Sequence, residues 1–513
     1  MLTIQSLSIT ALEKIIVPVG TYTDRNRLAS LFESFPGFDT MRTFETFQAE
    51  KGSYWRVLHD AGELLLVGLG DYPDARSVYG ALRSFTQTHR KLLDQETGLF
   101  LDNGLIPHSS NTVPDRTPAG KRKPVPLNGL IPFTEICVSG VLAGTYQLDQ
   151  RETAGSAHPL KNLTLVYADS PADSTALTPD KLLEAARHGE MLADAQKTAM
   201  HLINIPSNRK NPVQFAEMIV EMTAELPIDC EIYDEVRLQR EGFELLLGVN
   251  RGSEHPARFA VLRYNGTSDG DCPHLGLVGK GVTYDTGGLS LKPTASMVWM
   301  KCDMAGAATV LAATLAAARL GLPIQLTTVI PLTDNLVDSR SVKPGDILNS
   351  YSGKTVEIAD TDAEGRLILA DALSWMVRNA DPDCIIDLAT LTGAAVRALG
   401  SQAAALFCND RELEHLITTS ADETGERVWS LPLWDDYNAE LHSDVADVRN
   451  LSGKPTAGAI AAAKFLEVFT ENHPSWAHLD VAGTVFGDTE FGKMKNATGY
   501  GVLLLVNVMK HMN

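Results

Sequence analysis

From about residue 200 onward, short unbroken apolar runs alternate with longer stretches in which apolar residues recur every three or four positions. The runs "HLGLVG" (274–279), "IQLTTVIPL" (324–332), "KTVEIA" (354–359), "CIIDLA" (384–389) and "WAHLDVAG" (476–483) predict strands. The periodic stretches "MAGAATVLAATLAAARLG" (304–321), "RLILADALSWMVRNA" (366–380) and "AGAIAAAKFLEVFTEN" (457–472) predict helices. Apolar strands separated by helices imply a central, mostly parallel β-sheet flanked by helices on both faces. Ligands of such sheets gather beyond the carboxyl ends of the strands.

Ahead of this region the elements are shorter and mixed. The start of the chain and the segments 63–70 and 161–168 have strand-like patterns, and 74–93 has a helical one. The stretch "HSSNTVPDRTPAGKRKPVPLNG" (108–129) is polar and proline-rich and reads as a long exposed loop. A further shift at "DSPADSTALTP" (169–179) reads as a linker, followed by an amphipathic helix over 180–204. The expectation is an α/β protein with a smaller N-terminal α/β domain (1–170), a linker and bridging helix (171–203) and a C-terminal catalytic domain (204–513). A chain of 513 residues exceeds what one core usually supports, which agrees with two domains.

Composition narrows the function classes. Lys and Arg number 44 against 64 Asp and Glu, and the resulting charge of −20 disfavours nonspecific binding to nucleic acid or anionic lipid. Six cysteines stand without any C-x-x-C pair, which indicates a reducing compartment and neither a zinc finger nor a disulfide framework. The first 20 residues lack the basic region and long apolar core of a signal peptide. No apolar stretch reads as a membrane span of about 18 residues. A cytoplasmic location is expected.

Charged clusters fall where strands give way to helices. "KGVTYDTGGLSLKP" carries Lys280, Asp285 and Lys292, "MKCDMAGAA" places Asp303 ahead of a helix, and "ADTDAEGRLILAD" supplies Asp360, Asp362, Glu364 and Arg366. Each acid alone is most simply a helix cap, and Lys280 alone a salt-bridge partner. Four carboxylates brought to one place would repel strongly unless compensated. Two divalent cations would balance Asp285, Asp303, Asp362 and Glu364, and oxygen-rich ligation suits zinc, manganese, magnesium or cobalt. A pair of such ions activates water and polarises a carbonyl or phosphoryl oxygen, so the clusters point to a hydrolase. If 360–364 is extended, Asp362 and Glu364 point the same way. "GLVGKGVT" misses the P-loop spacing, and neither H-E-x-x-H nor G-x-S-x-G occurs around a candidate residue.

Together with "DLATLTGA", "NIPSN" (204–208) and "WAHLDVAGT", these motifs closely resemble those of the cytosolic leucyl aminopeptidase family, dinuclear zinc or manganese exopeptidases. The resemblance covers most of the second domain. It implies that Asp285 and Glu364 bridge two metals, and that Asp362 completes one site through its side chain and backbone carbonyl. Lys280 and Asp303 would complete the other, more exchangeable site, and without metal Lys280 would revert to a charged partner of Asp285. Lys292 would steady the oxyanion of the tetrahedral intermediate, and Arg366 would hold a bicarbonate ion acting as general base. Met300 would line the pocket for the first side chain, while the backbone around Leu391 and Gly393 would contact substrate. The chain departs from the family pattern at Asp360, Tyr284 and Thr286, which removes no expected ligand.

The function implied is hydrolysis of the N-terminal peptide bond of peptides, with leucine and other apolar residues among those removed. Two other classes stand beside it, a binding or regulatory protein on the same fold and a dinuclear phosphoesterase; Lys280 as a ligand argues against the last. The resemblance further implies a homohexamer, with peptides as substrates and no membrane or nucleic-acid partner.

Overall fold

A computed structural model describes residues 2–6, 12–21, 23, 25–32, 46–59, 62–71, 74–102, 105–106, 127, 129–148, 158–167, 178–267 and 272–512. Nearly all of the expected loop at 108–129 and of the linker at 169–179 lies outside them. The chain divides into two compact units. One comprises 1–197 with 422–425 and 490–493, and the other 198–421, 426–489 and 494–513. The helix Pro179–Asn204 runs through the boundary between them.

In the first unit six strands form one sheet: β1 (Leu2–Ser6), β2 (Lys14–Gly20), β3 (Tyr54–His59), β4 (Gly62–Gly70), β5 (Glu96–Leu101) and β6 (Asn162–Tyr167). Their order is β1-β6-β5-β2-β4-β3, parallel except for the final β4–β3 hairpin. Buried runs such as Leu64–Val67 in β4 fill its interior. Helix Ala75–Thr88 begins at Asp74, whose carboxylate accepts the Ser77 N–H at 2.9 Å.

The second unit is built on β7 (Ile228–Tyr233), β8 (Arg258–Asn265), β9 (His274–Gly279), β10 (Gly281–Asp285) and β11 (Gln325–Asn335). These are followed by the short strands β12 (Ile347–Asn349) and β13 (Thr355–Glu357), then β14 (Cys384–Ala389), β15 (Ala404–Cys408) and β16 (Val428–Ser430). After the two-residue β17 (Val448–Arg449) comes β18 (Trp476–Asp480). The main sheet runs β16-β15-β18-β14-β9-β11-β8-β7, with β10 also paired to β11. Its centre, β18-β14-β9-β11, is parallel throughout, as continuous apolar strands require, and the antiparallel pairings lie toward its edges. β12, β13 and β17 form a small separate sheet.

Two features of this sheet place the site. β11 is long enough to pair with β9 along its first half and with β10 along its second, and the chain passes from β9 to β10 through the single residue Lys280. Lys280 donates its backbone N–H to Leu388 O at the end of β14, and its carbonyl accepts the Ala307 N–H near the start of helix Ala305–Leu320. That helix, with the turn before it, is long and apolar enough to cross a membrane by composition, contrary to the sequence expectation. It is buried in its unit, and almost every side chain from Ala305 to Ala318 is inaccessible.

The other face is organised around Trp375, Phe243, Phe259 and Tyr233, whose rings pack within 4.9–6.4 Å of one another. Helix Gly365–Asn379 contributes the fully buried Asp371 to it, whose carboxylate accepts the N–H groups of Leu245 (3.1 Å), Leu246 (3.0 Å) and Tyr351 (2.8 Å). It thereby caps the helix Glu244–Asn250, which has no cap from its own N-cap side chain. Asp371→Ala leaves three donors, two of them buried, without an acceptor and should lower stability by about 3 kcal/mol, read from urea denaturation. Asp371→Asn, which keeps a carbonyl oxygen, should cost less. Burial pushes the Asp371 carboxyl up to about 7 against an ordinary 3.8. Between those values the folded chain keeps a proton that the unfolded chain has released, so stability declines as pH rises through the window and levels above it. The Asn variant should lack that slope. Equal slopes in the two proteins would refute the assignment.

Candidate metal centre

The acids at strand ends come together. One carboxylate oxygen each from Asp285, Asp303 and Glu364 lies within 4.8 Å of the others, and all three residues are buried. Asp285 ends β10, Asp303 follows the short 3-10 turn Met300–Cys302, and Glu364 sits at the N-cap of helix Gly365–Asn379. Asp362 joins them through Lys292, whose ammonium contacts both Asp362 and, at 2.8 Å, Asp285.

Lys280 Nζ lies 2.8 Å from both Asp303 and Glu364 and donates to Thr390 O at 2.9 Å. It therefore pairs with Asp303 and Glu364 rather than with Asp285, contrary to the sequence expectation. The reason is its seat at the end of β9, beside β14 and Thr390, whereas Asp285 lies at the far end of β10 within reach of Lys292. Gly365 makes room for it, since a Cβ there would fall 2.4 Å from Lys280 Cε.

The stretch 360–364 is a turn rather than an extended segment. The Asp360 carboxylate accepts the backbone N–H of Asp362 at 2.8 Å, and Glu364 already has helical backbone angles (φ −74°, ψ −37°). Asp362 and Glu364 consequently face different lysines. Asp360, which had no expected role, shapes this turn, and an asparagine oxygen could make the same bond.

Two ammonium groups offset half of the four carboxylate charges. Burial raises Asp285 to about 6, with the Glu364 charge adding to it and Lys292 and Lys280 opposing it. Burial likewise raises Asp303, and it would raise Glu364 were that carboxylate not held low by Lys280 and Lys292. For Lys280 burial acts downward, but Asp303, Glu364 and Asp285 together hold it above its usual value. One buried oxygen, Glu364 Oε2, has no hydrogen-bond donor among the described residues, while both Asp303 oxygens lie 2.8 Å from Lys280 Nζ. A buried anionic oxygen without a donor, in a set of carboxylates with one amine, fits divalent cations.

Arg366 is buried but makes no ion pair with these acids among the described residues. It donates to Asn450 O at 2.7 Å, its Nε has no partner, and burial pushes its guanidinium down to about 10. Leu391 and Gly393 follow β14. The Leu391 N–H donates to Asp480 at 3.2 Å, and Gly393 opens the helix Gly393–Leu399 behind the N-cap Thr392. Met300 begins the turn that carries Asp303.

Several supporting residues carried no signal in the sequence. Asn335, at the end of β11, donates to Asp285 at 2.9 Å and to Thr361 O at 3.0 Å. The Thr390 hydroxyl donates to Asp303 at 2.7 Å. Asn450 accepts the N–H groups of Ala359 and Asp360 and donates to Asp360 O, which fastens the turn.

Comparison with known proteins agrees with this geometry. Residues 197–506 match the model described as the cytosol aminopeptidase family, catalytic domain. A probable cytosol aminopeptidase of Chlorobaculum tepidum is 39% identical over 458 residues, covering 88% of this chain and 86% of the relative. Another, of Chloroherpeton thalassium, is 37% identical and covers 92% of each. Among solved structures, the bottromycin maturation enzyme BotP in complex with Mn aligns with a TM-score of 0.80 at 30% identity, covering 98% of this chain and 99% of that one. This chain belongs to the cytosol aminopeptidase family, whose members are metal-dependent aminopeptidases.

Proposed function

We propose that this protein is a two-metal aminopeptidase that removes N-terminal residues, leucine and other apolar ones among them, from peptides. The observation that carries the reading is the buried meeting of Asp285, Asp303 and Glu364 with Lys280 between two of them. Asp285 and Glu364 would bridge the two ions, Asp362 would complete one, and Lys280 and Asp303 the other. Zinc or manganese suits the set, and a structural relative of 30% identity is a complex with Mn. Bound divalent cations supply Lewis-acid polarisation of the scissile carbonyl and an acidified water.

The chain's own residues do the rest. Asp303 accepts the free amino group of the peptide, which selects the chain end. Lys292, held beside Asp285 and Asp362, places a fixed positive charge where the carbonyl oxygen becomes an oxyanion. Arg366, at the start of helix Gly365–Asn379 with its Nε unpartnered, would hold a bicarbonate ion as general base. The backbone at Leu391 and Gly393 aligns the peptide, and Met300 faces its first side chain. Six unpaired cysteines suit a cytoplasmic setting, and a homohexamer is the proposed assembly.

Purified protein supplied with Zn²⁺ or Mn²⁺ should hydrolyse leucine p-nitroanilide. Loss of a residue that merely supports a metal ligand costs about 10–100-fold, so Glu364→Ala and Asp362→Ala should each cost more than about a hundredfold. Wild-type-like rates in either variant would sink the site assignment. A chelator should abolish the activity and lower the melting temperature, with both restored by metal. Activity that persists through exhaustive chelation, with metal content checked by mass spectrometry, would rule the reading out.

A further inference from the structure

One buried cation lies outside this machinery. Lys210 is completely inaccessible, and its amine donates to Leu202 O (2.8 Å), Lys301 O (3.0 Å) and Met304 Sδ (3.0 Å), with Ile203 O at 3.4 Å. All four partners are neutral, and no ion pair offsets the charge among the described residues. Burying a lysine amine without a carboxylate is costly, and burial pushes Lys210 down to about 7. Such a group is expected to serve a purpose that an apolar side chain could not.

Its partners suggest that purpose. Leu202 and Ile203 lie in the last turn of helix Pro179–Asn204, where backbone carbonyls lack helical partners. Lys301 and Met304 flank Asp303, in the turn that also carries Met300. A second lysine closes the connection from the opposite side, because Lys301 Nζ donates to Asn204 O at 2.7 Å. The helix end and the turn are thus joined by two lysines pointing in opposite directions, one of them gripping the turn on both sides of Asp303.

We infer that Lys210, assisted by Lys301, is a positioning residue that sets the depth of the turn bearing Asp303 and Met300. Through that turn it governs how the site takes the amino end and first side chain of its substrate. The inference rests on the aminopeptidase reading for the roles of Asp303 and Met300. It leaves Lys292 and Arg366, which stand on other segments, to act as before.

The test is Lys210→Met, which preserves the length and apolar stem and deletes the donors, alongside Lys301→Met, which cuts the second link at a half-buried position. Supporting residues of metal ligands are worth about 10–100-fold, so KM for leucine p-nitroanilide should rise about tenfold or more, with kcat within about threefold. Titration of the metal-free proteins with Mn²⁺ should show one site weakened by a similar factor and the other unchanged. A folded Lys210→Met protein with wild-type KM and Mn²⁺ affinities would overturn the inference, whatever its melting temperature. If that variant does not fold, Lys301→Met decides by the same two readouts. Inactivity of the unmodified protein would count against the aminopeptidase reading alone, and the Mn²⁺ affinities would still decide the role of Lys210.

Discussion

Everything at this site follows from placing three carboxylates where water cannot screen them, with a fourth, Asp362, at their exposed edge. Ionised acids a few ångströms apart in a poorly solvated pocket repel strongly, and a fold that keeps them together must supply positive charge. Here it comes first from Lys280 and Lys292, which divide the acids between them: Asp303 and Glu364 with one, Asp285 and Asp362 with the other. Two lysines cannot balance four acids, and the remaining negative charge is what suits the centre to the divalent cations proposed for it.

The scaffold explains how the acids reach one another. Lys280 is the hinge between β9 and β10, tied to the end of β14 and to helix Ala305–Leu320, so it lies where β9 and β14 finish, level with the middle of β11. The residues after those strands and those leading into the helices converge on the same edge of the sheet. The carboxyl-end rule for parallel sheets thus has a concrete cause here, in strands that deliver chain reversals to a common side.

Much of this was legible in the sequence. The strands His274–Gly279 and Cys384–Ala389 match their apolar runs to the residue, because each is bounded by turn-forming or polar neighbours. The acids could be named because each stands between a strand pattern and a helix pattern. Their pairing could not be read, since it depends on how β11 serves two neighbours, and spacing therefore suggested Asp285 as the partner of Lys280. Alternating acids at 360, 362 and 364 mimicked a strand, yet the Asp360 side chain closes a turn with the N–H of Asp362. Asn335, Thr390 and Asn450 left no trace, because a single polar residue in a loop or at a strand end looks the same whether or not it supports a ligand.

Burial alone does not mark a carboxylate as functional, and other buried acids in this unit make the distinction sharp. Asp371 has three backbone donors, and Asp387 has the indole N–H of Trp476 at 2.8 Å and the ring of His478 at 2.6 Å. Asp480 is held by Thr392 and by the N–H groups of Leu391 and Ala482, and Asp334 by Thr283 and Ser253. These four are satisfied by neutral donors or a histidine, and their geometry is accounted for by the caps and ties they make. Asp303 and Glu364 differ in that each depends on a charged lysine, and Glu364 keeps one oxygen with no hydrogen-bond donor among the described residues. A side chain that serves only the fold has no reason to leave a buried anionic oxygen unmatched, because an unmade bond there costs more than a made one contributes. Dependence on a buried lysine, together with the unmatched oxygen of Glu364, therefore separates these acids from those that only hold the protein together.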